Sequence, residues 1–376
     1  MEIQEVRELF PYLKTDKIYF NHASTSPYSL KVVNAIQSFV EMRSEGEIDN
    51  VQLILETFQN AKDELTKMIN AYPGTIAFID NTSNGLNILA QGLNLKKGDR
   101  ILLNDLEFPS NVYPFLNLKK DGVEVDFVKS KDGIVTAEDI INEVRPGTKL
   151  ISISFVQFLT GYRVDLEKIG KYCRENNIIF CVDAIQGLPA LRLDVKKYNI
   201  DFISCGTWKW FMGMQGFAFI YVSKKLQEIL EQKFVGWTSV ENAWDLLNYD
   251  LKFRNSADRY QNGTPISMGV IILNASLSLF KEFGYDSIEK AVLDNSEYLI
   301  NKLQEIGIKP ILSGIQKNNL SGIVSFKVGG TESLFEELDK NNIKCALREG
   351  MIRFSPHFYN TKDEIDKVIS VLKNIL

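Results

Sequence analysis

Between residues 76 and 222 seven short, β-rich apolar runs alternate with stretches of helical character, and no other feature narrows the fold so much. The runs fall at 76–80, 100–104, 123–128, 150–155, 178–183, 201–205 and 217–222. Helical patterns separate several of them, such as 165–176, which opens on Asp165 as an acidic cap. Strand–helix alternation of this kind predicts an α/β fold with a mainly parallel sheet covered on both faces. ISISF and IIFCVDAIQG are apolar at consecutive positions, as strands buried on both faces require.

Beyond residue 265 the pattern changes. Long helical stretches at 266–283 and 287–306 precede strand-like SGIVSFKV, a helical 331–341, strand-like IKCAL and a last helix from Thr361. That order predicts a smaller α+β unit. We expect a large domain over 17–265 and a small one built from 1–16 plus 266–376, which 376 residues can accommodate. Residues 234–262, with Trp237 and Trp244, carry few periodic signals and read as a long connection, a kind of segment that often bears function.

Composition excludes several classes. A net charge of −5 gives no basic footprint, so no nucleic-acid partner is expected. No apolar run approaches the roughly 20 residues that span a bilayer, so no membrane partner is expected either. The opening MEIQEVRELFPYLK lacks the apolar core of a signal peptide, which points to the cytoplasm. The four cysteines, Cys173, Cys181, Cys205 and Cys345, form no CxxC pair, and His22 and His357 are the only histidines. No metal site is therefore expected. A lysine with a lowered pKa is the better candidate for acid–base work at neutral pH. No GxGxxG lies between the first strand and helix, which counts against a Rossmann dehydrogenase.

Ligands of open α/β sheets sit beyond the carboxyl ends of the strands, and three polar groups fall there. Asp80-Asn-Thr-Ser-Asn-Gly85 follows a strand and opens a helix, so Thr82 and Ser83 could cradle a phosphate or merely cap the helix. Asp183 ends a buried strand, with Gln186 three residues on. A carboxylate there is costly without a partner, which could be a ribose hydroxyl, a metal or a pyridinium nitrogen; an N-cap is the plainer alternative. Lys209 lies between two tryptophans in GTWKWF. An apolar setting lowers a lysine pKa and makes the amine a usable nucleophile towards a carbonyl, the alternative being a lysine that snorkels from a strand end.

Taken in order, NTSNG, EFPSNVYPF, VQFLTGYRVDL, VDAIQG, GTWKW, YQNGTP and LREGMIRFSPHFYNT resemble the class V aminotransferase family of fold-type I pyridoxal-phosphate (PLP) enzymes. That group includes cysteine desulfurases, kynureninases and isopenicillin-epimerase-like proteins, and the resemblance spans almost the whole chain. It implies a three-layer fold with a mainly parallel seven-stranded sheet, PLP as cofactor and a homodimer with shared active sites. It also implies residue roles. Lys209 forms the Schiff base and shuttles the α-proton, and Asp183 pairs with the pyridinium N–H. Gln157 and Gln186 flank the phenolic oxygen, and Phe108 stacks on the ring. Thr82 and Ser83 bind the phosphate, the Thr207–Trp208 stretch closes the pocket, and Thr264 reaches the neighbouring subunit's phosphate. Arg353 forks onto the substrate α-carboxylate, as guanidinium geometry suits. Arg348 is a second candidate for that task, and His22 a residue lining the substrate site.

Desulfurases of the nearest subgroup carry a nucleophilic cysteine in a loop between the two arginine motifs. Here only Glu349, Gly350, Met351 and Ile352 separate Arg348 from Arg353, and Cys345 sits in strand-like IKCAL. A persulfide relayed through a protein thiol is thus disfavoured. Transamination of an α-amino acid is the first expectation. The alternative is a PLP-dependent β-lyase, desulfurase-like enzyme or epimerase on a small amino acid, sulfur-containing ones included. A non-catalytic PLP-binding protein is disfavoured by the joint presence of Lys209, Asp183 and Arg353.

Overall fold

The computed structural model describes residues 2–264 and 266–375; the expected domain boundary at residue 265 and the two chain ends lie outside the described residues. Twelve strands are described, β1 (Ile18–Tyr19), β2 (Ile76–Ile79), β3 (Arg100–Asn104), β4 (Glu124–Val128), β5 (Thr148–Ser154), β6 (Ile179–Asp183), β7 (Phe202–Gly206), β8 (Ala218–Val222), β9 (Val324–Phe326), β10 (Ile343–Lys344), β11 (Ala346–Arg348) and β12 (Met351–Phe354). Seven of them form one sheet in the order β2-β8-β7-β6-β5-β3-β4. Each expected run of the central region lies in it. One direction was not foreseen: β8 runs antiparallel to both neighbours, β2 and β7. Its composition, AFIYV, is that of any doubly buried strand, so the residues carry no signal of direction.

Alternation along the strands divides the core between the two faces. Ile101 and Leu103 of β3, Cys181 of β6 and Ile220 and Val222 of β8 pack with Leu86 and Leu89 of helix Thr82–Gly92 on one side. Leu102, Phe180, Val182, Phe219 and Tyr221 face the other side, with Leu166, Ile169 and Cys173 of helix Leu166–Glu175. The second half of the chain holds helices Ser267–Phe283, Tyr285–Glu305, Thr331–Lys340 and Lys362–Ile375 around an antiparallel sheet ordered β11-β12-β9. The chain start is stitched to that half, because β1 pairs with β10 and Asn21 bridges Ser355. Among the described residues no helix is long and apolar enough to cross a membrane.

Helix Thr82–Gly92 lies close on the sheet at Gly85, where an added Cβ would stand 2.3 Å from Ser204 Oγ and 2.8 Å from Ile220 and Ile79 methyl carbons. Ser204 Oγ also donates to Thr82 O at 3.0 Å and ties the helix start to β7. Overpacking at such a contact costs about 1–3 kcal/mol. Gly85→Ala is expected to lower the urea midpoint accordingly; an unchanged midpoint would show that the helix can lift off the sheet freely.

Candidate active site

The carboxyl ends of β6 and β7 open into a cavity of about 300 Å3 whose lining includes Lys209, Asp183, Gln186, Thr82, Ser83, Phe108, Trp208, Arg348 and Arg353. Ala23, Ser24, Asn81, Ser110, Phe158 and Ile185 complete the wall. Seven separate segments of the sequence thus meet at one place.

Asp183 ends β6 and is buried, with Ile185 N–H donating to Oδ1 at 3.0 Å. Burial pushes its carboxyl well above the ordinary range, and Glu107 nearby pushes the same way. Lys209 follows β7 and has no ion-pair partner among the described residues. Its Nζ lies 5.6 Å from the Phe108 ring centroid and 5.8 Å from that of Trp208. Burial lowers its pKa, Asp183 opposes the shift, and the Arg353 and Arg348 charges add to it. The amine is thereby held closer to its neutral, nucleophilic form.

Opposite, Asn81 caps helix Thr82–Gly92 by accepting from Asn84 N at 2.9 Å. The N–H groups of Thr82 and Ser83 have no partner among the described residues, as expected of a helix start. Ser83 Oγ donates to Ser110 Oγ at 2.8 Å. Arg353 lies on β12, buried, with Nη1 donating to Phe158 O at 2.6 Å and Nη2 to Ser24 Oγ at 2.9 Å. Burial and Arg348 lower its pKa to about 10, so it stays charged at neutral pH. Arg348, at the end of β11, is exposed and touches only the carbonyl of Leu347.

Of the buried polar atoms that lack a partner among the described residues, three belong to residues expected at the site: Thr82 Oγ1, Gln157 Oε1 and Arg353 Nε. The Gln157 amide nitrogen lies 3.3 Å from both Asn104 Oδ1 and Glu107 Oε1. Glu107 is itself buried and receives Asn104 Nδ2 at 2.5 Å, Asn111 Nδ2 at 3.0 Å and Ser154 N at 2.9 Å. Buried polar groups are rarely left unpaired, so this wall is shaped for something further.

Four expected site residues, Thr207, His22, Thr264 and Gln157, do not line the Lys209 cavity. Thr207 is buried, and its hydroxyl donates to Phe217 O at 2.9 Å and lies 3.1 Å from Met214 O, away from the cavity. His22 is behind the wall rather than in it. Its Nδ1 faces Ser355 O at 2.8 Å and its Nε2 faces the Tyr359 hydroxyl at 2.6 Å, so neither nitrogen can reach a substrate. For Thr207 and His22 the competing demand is satisfaction of a buried polar group. Thr264 lines other cavities, one with Asp80 and Asn84 and one with Trp237 and Trp244. Ser110 and Phe158 are cavity residues that sequence reasoning missed, because a serine or phenylalanine in a loop carries no signal of direction. Glu107 stood within EFPSN and gave a signal of burial only through that motif.

PLP would satisfy these groups one by one: its phosphate the helix start with Thr82 and Ser83, its ring nitrogen Asp183, its aldehyde Lys209. An α/β sheet that offers such groups at its carboxyl ends is that of a PLP-dependent enzyme. The comparisons agree, and the chain belongs to the class V aminotransferase family, whose model, described as "Aminotransferase class-V", matches residues 18–368. A Bacillus subtilis protein described as an uncharacterized aminotransferase is 28% identical over 97% of this chain and 96% of its own length. A Borreliella burgdorferi protein described as a probable cysteine desulfurase is 30% identical over 100% of this chain and 96% of its own. Among solved structures, the apo cysteine desulfurase of Thermococcus onnurineus superposes with a TM-score of 0.90 at 25% identity, covering 100% of this chain and 98% of that one. The fold is therefore fold-type I and the cofactor PLP.

His22 and His357 are both buried in neutral form. Burial holds His357 down at about 3 and His22 well below the ordinary value, and the neighbouring His357 ring adds to the shift on His22. The unfolded chain takes up a proton at each near pH 6.5, the folded chain only far lower, so stability falls as pH drops through that window. His357 contributes a loss of about 2 kcal/mol by pH 5, and His22 a further loss of the same sign. Urea midpoints between pH 7 and pH 5 should fall less steeply for His357→Gln than for the parent; parallel slopes would contradict the buried neutral ring.

Proposed function

We propose that this enzyme is a C–S lyase that acts on an α-amino acid carrying a sulfur leaving group at Cβ. Such a reaction removes the α-proton, breaks the Cβ–S bond and, with one water, yields the free thiol or persulfide, pyruvate and ammonia. Bound PLP supplies the electron sink that makes the α-proton acidic. Lys209 takes that proton, and its lowered pKa suits the task at neutral pH. Arg353 binds the α-carboxylate with the edge that Phe158 O and Ser24 Oγ leave free. Arg348, exposed at the cavity and without an acidic partner among the described residues, would meet a second anionic group on a longer substrate.

The observation that carries this reading concerns the thiols. All four cysteines are buried, and burial raises each thiol pKa, that of Cys345 to about 12. Cys173, Cys181 and Cys205 are raised by the same cause. None can act as a mobile acceptor of sulfur, so sulfur must leave on a fragment of the substrate. Relatives described as probable cysteine desulfurases favour sulfur chemistry over the transamination expected first from sequence. A neighbour of the same fold, described as the cystine C–S lyase C-DES in complex with cysteine persulfide, shows a TM-score of 0.88 at 23% identity, covering 97% of this chain and 99% of that one.

We further infer a homodimer in the cytoplasm. Thr264 lies outside the Lys209 cavity, beside exposed Trp237 and Trp244, which fits a threonine that serves a partner's phosphate. Four free thiols fit a reducing compartment.

An amino-acid panel read at once for sulfide or persulfide, pyruvate, pyridoxamine phosphate and optical activity tests the reaction. Sulfur release with matching pyruvate, unchanged in Cys345→Ala, is expected; accumulation of pyridoxamine phosphate with a keto acid would make the enzyme an aminotransferase instead. Lys209→Ala should lose the borohydride-trapped cofactor. Arg353→Ala should raise KM about 10- to 100-fold, the worth of a charge-assisted contact, and unaltered KM would place the carboxylate elsewhere.

A further inference from the structure

Trp210 does not line the Lys209 cavity, yet its indole determines what Gln186 presents there. Trp210 is buried, and its Nε1 donates to Gln186 Oε1 at 2.9 Å. Gln186 Nε2 in turn donates to Ala23 O at 3.0 Å. An indole N–H can only donate and a backbone carbonyl can only accept, so the two partners admit a single orientation of the amide. Its oxygen lies on Trp210 and its nitrogen on the Ala23 side of a residue that lines the cavity. The second N–H of that nitrogen has no partner among the described residues.

Trp210 is itself fixed from the second half of the chain. His357 accepts from Phe358 N at Nδ1, so Nε2 carries the proton and donates to Trp210 O at 3.0 Å. Gly322, just before β9, makes room for the ring: a Cβ there would stand 2.2 Å from Trp210 Cη2.

We propose that Trp210 is a positioning residue that locks the Gln186 amide with an N–H towards the cavity, where it donates to the phenolic oxygen of bound PLP. This rests on the cofactor reading of the cavity given above. Without the indole N–H the amide is free to turn, and its oxygen can face that phenolic oxygen instead. A lost donor leaves the oxygen more basic, so the visible absorbance of the cofactor held on Lys209 should change at higher pH.

The test is a pH titration of that absorbance in reconstituted holoenzyme. Trp210→Phe keeps an apolar ring but removes the N–H, and its midpoint should move up by about 0.5–1 pH unit. Gln186→Leu should move it at least as far, and Trp210→Phe should add nothing in that background, since the two act through one contact. Gly322→Ala, which displaces the ring without removing it, should shift the midpoint the same way if Trp210→Phe fails to fold. All variants keep Asp183, Glu107, Cys205, Arg348 and Arg353. An unmoved midpoint in Trp210→Phe, or an equal shift with and without Gln186, would overturn the proposal while leaving the cofactor assignment intact. Parent protein that takes up no PLP would overturn both.

Discussion

The burial of Asp183 and Lys209 without an ion pair to a third group is the constraint on which the rest of this structure turns. A carboxylate and an ammonium taken from water cost several kcal/mol each unless something replaces the lost hydration. Here little does: one backbone N–H serves Asp183, and two aromatic rings flank the Lys209 amine at 5.6 and 5.8 Å. The protein bears this at the mouths of β6 and β7, where strand ends leave room and the sheet holds both residues rigidly. A ligand with a cationic ring nitrogen and a carbonyl removes both costs at once. Relief of that burial cost is therefore part of the affinity for such a ligand.

Much of this was legible in the sequence because the residues concerned break a local pattern. Asp183 at the end of an apolar run and Lys209 between tryptophans are each anomalous where they stand, and the structure places both in one cavity. The strand runs were legible because strands such as β5, β7 and β8 are buried on both faces and leave continuous apolar stretches. What was not legible depends on direction. AFIYV gives no sign that β8 runs against its neighbours, and nothing in GTWKW says that the Thr207 hydroxyl turns to Phe217 O while Trp208 faces the cavity. The family resemblance put His22 in the wall of the substrate site. Two acceptors and donors from the far end of the chain claimed it first.

The thiols decide the chemistry by where they are rather than by how many there are. Cys181 and Cys205 lie in strands of the central sheet, Cys173 on the inner side of helix Leu166–Glu175, and Cys345 between β10 and β11. Each serves as a small apolar side chain. The short link from Arg348 to Arg353 matters in the same way. It closes a tight hairpin, β11 to β12, with Glu349 and Gly350 at positive φ, and leaves no loop that could bring a thiol to the substrate. The two arginines are thereby set on adjacent strands, one buried and one exposed.

That hairpin also explains how the second half of the chain reaches the cofactor without touching it. β12 carries Arg353 into the cavity directly, while Ser355, three residues before Phe358, pairs with Asn21 and accepts Ala23 N–H at its hydroxyl. Ala23 O is the acceptor that Gln186 uses, and His357 from the same stretch holds the backbone of Trp210. A single segment, Arg353 to His357, thus sets the carboxylate clamp, the wall at Ala23 and the indole behind Gln186. Displacement of the small sheet against the large one would therefore shift Arg353, Ala23 and Trp210 together.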